Sequence, residues 1–230
     1  YMTGGTLTNC VVTGCRNFRA LYIAPGTATL CRVQRNSLGN GGGLQLAGGT
    51  AQGCTISGNA GTPYGVGVYM SSGLLVDSLV TANASSDAYG AGIYMTGGTA
   101  SNCFVASNSI AAWHQHGGGV YLTGGLLANS TIAGNTVAAG KGSSSSGGVR
   151  ADGGTVRSCL VRGNIADYGG GIYVNGGVVQ NCVSRDNTAR QQGGGIYVNA
   201  GRVEYGTVAS NSVTASVGGG LYQAGGYVTN

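Results

Sequence analysis

One glycine-and-asparagine frame recurs along almost the whole chain, and this repeat restricts the fold more than any other feature of the sequence. A reference glycine precedes each short apolar triplet, a second glycine follows six residues later, and an asparagine follows sixteen residues later. Only the segment from that asparagine to the next reference glycine varies, from 7 to 13 residues. A constant frame with one variable loop is typical of a solenoid. The reference positions are Gly43, Gly67, Gly92, Gly119, Gly148, Gly171, Gly195 and Gly220, with Ala20 in the same place earlier.

Each repeat of 23–29 residues reads as two or three short strands. In triplets such as Ile172-Tyr173-Val174, period two places the outer residues inward and the middle residue outward. This predicts an all-β, single-domain right-handed parallel β-helix over residues 1–230, with roughly nine to ten coils. We expect the second glycine to supply a turn with positive φ. We expect the repeated asparagine to tolerate the left-handed conformation while its amides stack along the solenoid.

Composition excludes several other classes of protein. The 48 glycines come with only 2 prolines, 42% hydrophobic and 7% charged residues, which argues against both collagen and a disordered chain. The net charge of +5 comes from scattered arginines without a basic run, so nucleic acid is not an expected partner. No apolar stretch approaches the roughly 18–20 residues of a membrane-spanning helix, so membrane insertion by this segment is not expected.

The repeat resembles the GGA[ILV] and FxxN repeats of chlamydial polymorphic outer-membrane proteins and related autotransporter-type β-helix passengers of bacteria. The segments 90–93 and 169–172 correspond to the first motif, and 80–83 and 105–108 to the second, with Val or Ile in place of Phe. The resemblance implies a secreted or surface-displayed protein, often adhesive, whose membrane anchor lies outside this segment.

Two ladders of structural residues are expected inside the solenoid. The repeated asparagines are Asn36, Asn59, Asn83, Asn108, Asn135, Asn164, Asn187 and Asn211. A second place, which Ser78, Ser130 and Gly206 occupy in other coils, is held by Cys10, Cys31, Cys54, Cys103, Cys159 and Cys182. A place shared by Cys, Ser and Gly favours a small buried side chain. Neighbouring coils bring these cysteines within disulfide range, but parallel in-register side chains would strain the bridge. Without a CxxC pair we expect no metal site in this ladder and no cofactor.

The middle position of each triplet predicts an outward stripe of side chains. One interpretation is that tyrosine suits a half-exposed strand and packs on its neighbour. The alternative is an aromatic track that binds sugar rings or a partner protein. We expect the Arg150 guanidinium to stack between the neighbouring rings. The main stripe comprises Tyr69, Tyr94, Tyr121, Arg150, Tyr173, Tyr197 and Tyr222, preceded by Tyr1, Tyr22 and Gln45.

The two longest variable loops lie in adjacent repeats, at 109–118 and 136–147. The first holds Trp113, His114 and His116, and the second holds Lys141 and four serines. Because loops on a rigid scaffold commonly carry function, this cluster is a second candidate recognition patch. The two histidines lack a third ligand at a fixed spacing, so we expect solvated loop residues rather than a metal site.

The acidic residues argue against catalysis. The six carboxylates occupy six different places of the repeat, whereas glycoside hydrolysis needs two that face one cleft. A calcium-dependent polysaccharide lyase would need several carboxylates around the ion. We therefore expect a protein that is not an enzyme, although lyases and hydrolases also use this fold.

The sequence as a whole predicts an extracellular or cell-surface structural or adhesive solenoid. Its expected partner is a host or neighbouring-cell surface protein or glycan, and a carbohydrate-binding module is the alternative. Strands at both ends carry no visible cap, which predicts either a segment of a longer surface protein or head-to-tail self-association into a filament.

Overall fold

The computed structural model describes residues 1–38, 42–62, 64–87, 89–111, 116–139 and 145–230. In this part of the chain all regular structure is β, and the strands wind into a parallel solenoid of about nine coils. The predicted fold class is therefore confirmed. Within the described residues, no helix of a length and hydrophobicity suited to crossing a membrane is found.

Three sheets run along the solenoid, and every described strand pair is parallel. The first sheet has 15 strands and bends over a corner, so that each coil contributes either two short strands or one long one. Its strands are Thr6–Thr8, Leu21–Ile23, Thr27–Thr29, Leu44–Gln52, Val68–Val76, Ile93–Met95, Thr99–Ser101, Val120–Leu122, Leu126–Ala128, Val149–Ala151, Thr155–Arg157, Ile172–Gln180, Ile196–Glu204, Leu221–Gln223 and Tyr227–Thr229.

The second and third sheets complete each coil. The second sheet consists of Val11–Thr13, Arg32–Gln34, Thr55–Ser57, Leu79–Thr81, Phe104–Ala106, Thr131–Ala133, Leu160–Arg162, Val183–Arg185 and Thr207–Ala209. The third sheet consists of Ser37–Leu38, Ala60–Gly61, Ala84–Ser85, Ser109–Ile110, Thr136–Val137, Ile165–Tyr168, Thr188–Gln192 and Ser212–Val213.

The second glycine of the repeat makes the corner within the first sheet, as predicted. Gly98, for example, has φ +79°, and an added Cβ would lie 2.7 Å from the Gly73 carbonyl oxygen of the preceding coil. Gly177 is the exception: positive φ is absent there, although an added Cβ would still lie 2.8 Å from the Gly153 carbonyl oxygen. The corner thus requires glycine for its backbone angle and for its close approach to the next coil.

The expectation that the ladder asparagines are left-handed is wrong. The left-handed residue is the one before each of them, for example Ala82 with φ 53° or Ser107 with φ 55°. A second left-handed position precedes the cysteine ladder, for example Asn102 with φ 52°. The turn therefore places its unfavourable backbone angle on the residue before the asparagine, while the asparagine side chains from Asn36 to Asn187 bond to both neighbouring coils.

The asparagine amides do stack along the solenoid, as predicted. Asn108 Nδ2 donates to Asn135 Oδ1 (2.9 Å) and to the Val80 carbonyl oxygen (3.0 Å). Its Oδ1 accepts both the backbone N–H and Nδ2 of Asn83, each at 3.0 Å. At the start of the ladder Cys15 stands in place of asparagine, and its backbone N–H donates to Asn36 Oδ1 (2.9 Å). The ladder therefore satisfies its buried amides by repetition.

The main core is a continuous apolar cluster along the axis, filled by the outer residues of the triplets and their equivalents in the second sheet. A second, small cluster consists of Ala91, Ile110, Val137 and Ala166. The reference glycines let the asparagine ladder approach this core. A Cβ added to Gly119 would lie 2.8 Å from Asn135 Nδ2 and 2.7 Å from the Gly148 carbonyl oxygen. The reference position thus excludes side chains for reasons of space, which separates its role from that of the corner glycine.

Candidate functional site

The predicted stripe forms a stacked row on the outer side of the first sheet. Its residues pair in register from coil to coil, and we call them the first row: Tyr69, Tyr94, Tyr121, Arg150, Tyr173, Tyr197 and Tyr222. Tyr173 and Tyr197 have ring centroids 4.8 Å apart and planes 4° from parallel. The Arg150 guanidinium lies 5.5 Å from the Tyr121 ring centroid and 5.1 Å from that of Tyr173, as predicted. The row is continuous because the planar Arg150 guanidinium stacks in the place of one ring.

Stacking changes what this row offers to a ligand. Adjacent rings cover each other's faces, so the tyrosines expose mainly their edges and phenolic hydroxyls rather than a flat platform. The tyrosines of the row are half-buried rather than fully exposed. Gln45, expected on the same outward line, is only 7% exposed. Its Oε1 is the buried side-chain atom without a hydrogen-bond partner among the described residues.

A second row lies beside the first, and the sequence analysis missed it. It consists of Tyr64, Tyr89, His116, Ser145 and Tyr168, joined by successive parallel bridges. These residues stand three places before the reference glycine, at the end of the loop whose length varies. Because this spacing is constant, the second row could have been predicted from the sequence by counting back from each reference glycine. The two rows together form what we call the aromatic face.

The rows of the aromatic face contact each other. The Tyr64 and Tyr94 centroids are 5.1 Å apart, and those of Tyr89 and Tyr121 are 5.5 Å apart. Tyr168 instead meets Tyr197 edge to face, with planes at 79°. Both rows thus act as one aromatic layer over the sheet, which holds the rings in fixed orientations.

Polar residues replace aromatic rings at the centre of the face. Arg150 Nε pairs with Asp152 Oδ1 at 2.7 Å, and Asp152 Oδ2 accepts the Tyr121 hydroxyl at 2.6 Å. Arg150 Nη1 donates to Ser145 Oγ, which lies 2.8 Å from His116 Nδ1. The Arg150 and Asp152 side chains are only 12% and 20% exposed. The pair therefore balances its own charge beneath the aromatic layer.

Four tyrosines of the first row have a raised pKa and stay protonated over a wide pH range. Burial is the main cause that raises the pKa of Tyr94, Tyr173 and Tyr197 above its usual value. For Tyr121, burial and the hydrogen bond to Asp152 both raise the pKa. The phenols therefore remain neutral hydrogen-bond donors at physiological pH.

The loop-cluster prediction is tested only at His116, because Trp113, His114 and Lys141 lie outside the described residues. The expectation that His116 is a solvated loop residue is wrong: it is half-buried, belongs to the second row and contacts the Tyr89 ring at a centroid distance of 5.6 Å. The predicted loop bounds are also too wide, because Ser109–Ile110 and Thr136–Val137 are strands of the third sheet. These segments pair with neighbouring coils before each loop departs.

The cysteine ladder lies in the core as predicted, and all seven cysteines are free thiols. Cys31, Cys54, Cys103, Cys159 and Cys182 are buried, whereas Cys10 and Cys15 are partly exposed. The structure adds a second reason for small polar side chains at this place: those of Ser78, Ser130 and Cys182 each accept a backbone N–H of the preceding coil. Ser130 Oγ accepts from the Cys103 N–H (3.0 Å), and Cys182 Sγ accepts from the Cys159 N–H (3.5 Å).

Comparison with known proteins agrees with this architecture. A family model described as a right handed beta helix region matches residues 65–230. The chain belongs to the right-handed β-helix family. No curated protein and no solved structure matched the chain. The β-helix family includes both enzymes and non-enzymes, so membership shows the fold and leaves the activity to be argued from the side chains.

The carboxylates of this β-helix mostly have partners within the chain. Arg190 Nη1 pairs with buried Asp167 at 3.1 Å and also donates to the Val137 carbonyl oxygen, which ties three coils together. Arg185 pairs with Asp186 at 2.5 Å, and Arg202 with Glu204 at 3.1 Å. These carboxylates, like Asp152, serve to neutralise arginines of the scaffold.

Proposed function

We propose that this β-helix is a non-catalytic, surface-displayed adhesive solenoid that contacts its partner through the aromatic face. The observation that carries the proposal is the pair of aromatic rows that lie side by side over several coils of the solenoid. Tyrosine and arginine are enriched where proteins bind partners. Tyrosine combines a large contact area with hydrogen bonding at low entropic cost. A rigid solenoid holds this layer in position before binding.

The non-catalytic part of the proposal rests on how the carboxylates are used. Asp152, Asp167, Asp186 and Glu204 each form an ion pair with an arginine of the same chain. Asp77 accepts from the side-chain amides of Gln52 and Asn102 at 3.4 and 3.3 Å. General acid–base cleavage of a glycoside requires two carboxyl groups that face one substrate, whereas these five are already engaged by arginine or amide partners of the scaffold.

The proposed location is extracellular, as a passenger-like segment of a bacterial surface protein. It rests on the likeness of the repeat to surface-displayed passengers and on a polar yet weakly charged exterior. The proposed partner is a surface protein or glycan of a host or neighbouring cell. A glycan-binding module is the second candidate, supported by phenolic hydroxyls such as those of Tyr173 and Tyr197, which lie in register at the coil spacing.

Binding to glycan arrays and to intact cells tests the proposal. The variant Tyr173→Phe/Tyr197→Phe removes two hydroxyls and keeps the stack, whereas Tyr205→Phe/Tyr227→Phe changes exposed tyrosines away from the face as a matched control. We expect at least a tenfold loss of binding for the first variant only. Equal effects of both variants, or no binding by the wild type to any array glycan or cell, would contradict the proposal.

Treatment of the cells separates the two classes of partner. Binding that trypsin abolishes and periodate spares identifies a protein partner, because periodate cleaves the vicinal diols of sugars. The reverse result, supported by a specific signal on the glycan array, identifies a glycan and promotes the carbohydrate-binding alternative.

A further inference from the structure

The cysteine ladder contains thiols that are neighbours along the axis, independently of the aromatic face. Cys159 and Cys182 occupy consecutive coils, as do Cys10, Cys31 and Cys54. Cys103 is the internal contrast, because Ser78 and Ser130 hold the ladder position on either side of it. The chain thus offers paired and isolated thiols in the same local environment.

The sulfur atoms sit in equivalent places in their coils. Cys159 Sγ and Cys182 Sγ each lie 3.3 Å from the carbonyl oxygen two residues earlier, and Cys31 Sγ does the same at 3.3 Å. Equal contacts imply the same rotamer in each coil. Consecutive sulfurs are then separated by the distance between hydrogen-bonded strands, about 4.8 Å.

This separation suits a bridging metal ion better than a disulfide. A disulfide would bring the sulfurs to about 2.05 Å and the Cβ atoms to about 3.5–4.5 Å, closer than in-register strands stand. Two metal–thiolate bonds in line, each about 2.3 Å as for zinc, span about 4.6 Å. The side chains project from the strands across the axis, so the line between sulfurs runs along the solenoid and needs no change of the backbone.

Although the cysteine spacing predicted no metal site in this ladder, the geometry points to a two-coordinate site for a soft monovalent cation, Cu(I) or its analogue Ag(I), between the sulfurs of Cys159 and Cys182. The same arrangement recurs along Cys10, Cys31 and Cys54. Soft sulfur ligands select such ions. Zinc requires four ligands, and the described residues contain no group of three or more His, Cys, Asp or Glu arranged to hold a metal.

Charge balance in the core also favours a monovalent ion. The cation replaces one thiol proton, which leaves for solvent, while the other sulfur coordinates as a neutral thiol, so the occupied site carries no net charge. A neutral site avoids the cost of a bare charge in an apolar interior. The Cys159 backbone N–H, already donated to Cys182 Sγ, stabilises the thiolate at Cys182.

Silver titration of the folded chain tests the proposal, with Cys15→Ser as the parent because Cys15 is a partly exposed thiol outside the ladder. Two variants of this parent, Cys182→Ser and Cys103→Ser, each remove one buried ladder thiol, and serine already occupies this position at Ser78 and Ser130. After overnight equilibration with Ag(I), native mass spectrometry counts the bound ions, and ultraviolet absorbance reports silver–thiolate bonds. We expect Cys182→Ser to lose one silver ion per chain and Cys103→Ser to lose none.

Equal losses from the two variants would mean that each thiol binds silver by itself, which overturns the proposal. No silver bound by the folded parent overturns it as well. Far-UV circular dichroism is recorded at each step of the titration. Silver that binds only as the β-sheet signal is lost has bound thiols of the unfolded chain, which contradicts a native site. Binding to the native site should instead raise the melting temperature of the parent as silver is added, and Cys182→Ser should show a smaller rise than Cys103→Ser.

Discussion

At the scale of single residues, this β-helix depends on side chains that serve two coils at once. Asn108 is fully buried and makes four side-chain hydrogen bonds, three to the preceding coil and one to the following coil. Gln45 lacks such repetition: its buried Oε1 has no partner among the described residues, because tyrosines occupy the equivalent positions on the adjacent coils. A buried amide is therefore favourable here only as part of an uninterrupted ladder.

Replacing one ladder amide should therefore destabilise the fold strongly. Asn108→Leu leaves the Asn83 backbone N–H and the Val80 carbonyl oxygen without their partners. We expect a loss of about 3 kcal/mol or more in the free energy of unfolding, since each buried group left unsatisfied costs about 1–3 kcal/mol. Urea unfolding measures the loss. The exposed Asn199→Ala serves as control and should cost less than about 0.5 kcal/mol; similar losses for both would contradict the ladder's role.

At the scale of elements, the first sheet holds its tyrosines in register, and stacking then converts separate side chains into one layer. Tyr173 shows the consequence, because burial among its neighbours raises the pKa of its phenol above the usual value of 10.0. The unfolded chain releases this proton first as the pH rises. The protonated Tyr173 phenol therefore contributes to the free energy of unfolding below pH 10, and this contribution is lost as the pH rises through the pKa of the folded state.

Removing one phenol should make the alkaline loss of stability shallower. With Tyr173→Phe, we expect the free energy of unfolding at pH 7 to change by less than about 0.5 kcal/mol, because the ring and its stack remain. Above pH 10 the variant should lose stability more slowly than the wild type. Denaturant unfolding between pH 7 and 11 measures both slopes, and parallel curves would contradict a buried phenol at this position.

At the scale of the whole molecule, each coil contacts chiefly its two neighbours, so stability adds up coil by coil. The coil at 44–67 shows this most simply, because its described residues form no ion pair. Its removal would bring Gly43 directly before Val68, in the same phase of the repeat. Leu21 would then pair with Val68 as it now pairs with Leu44.

Deletion of residues 44–67 should consequently yield a folded solenoid one coil shorter. We expect the same far-UV circular dichroism per residue and a cooperative melt within about 10 °C of the full chain, because only one set of coil–coil contacts is lost. Deletion of residues 44–55 is the contrast: half a coil puts the ladders out of phase and should abolish the cooperative transition. Cooperative folding of both deletions would contradict the additive picture.

Period two in the triplets and the constant glycine and asparagine spacings predicted the sheets, the register and the buried cysteines. They also predicted that Arg150 would stack between Tyr121 and Tyr173. The second row escaped because Tyr64, Tyr89 and His116 end loops of different length, and spacing from the preceding asparagine hides their common place.

The sequence by itself determined the parallel β-helix, because each repeat places the same residue types at the same backbone positions and identical coils pair in register. Only the tertiary structure decided which surfaces of those residues remain available. Coil spacing brings the rings of Tyr173 and Tyr197 face to face and leaves their edges outward. It likewise joins Ser145, His116 and Asp152 around Arg150. Such contacts depend on the rise between coils and on side-chain direction, which no spacing along the chain specifies.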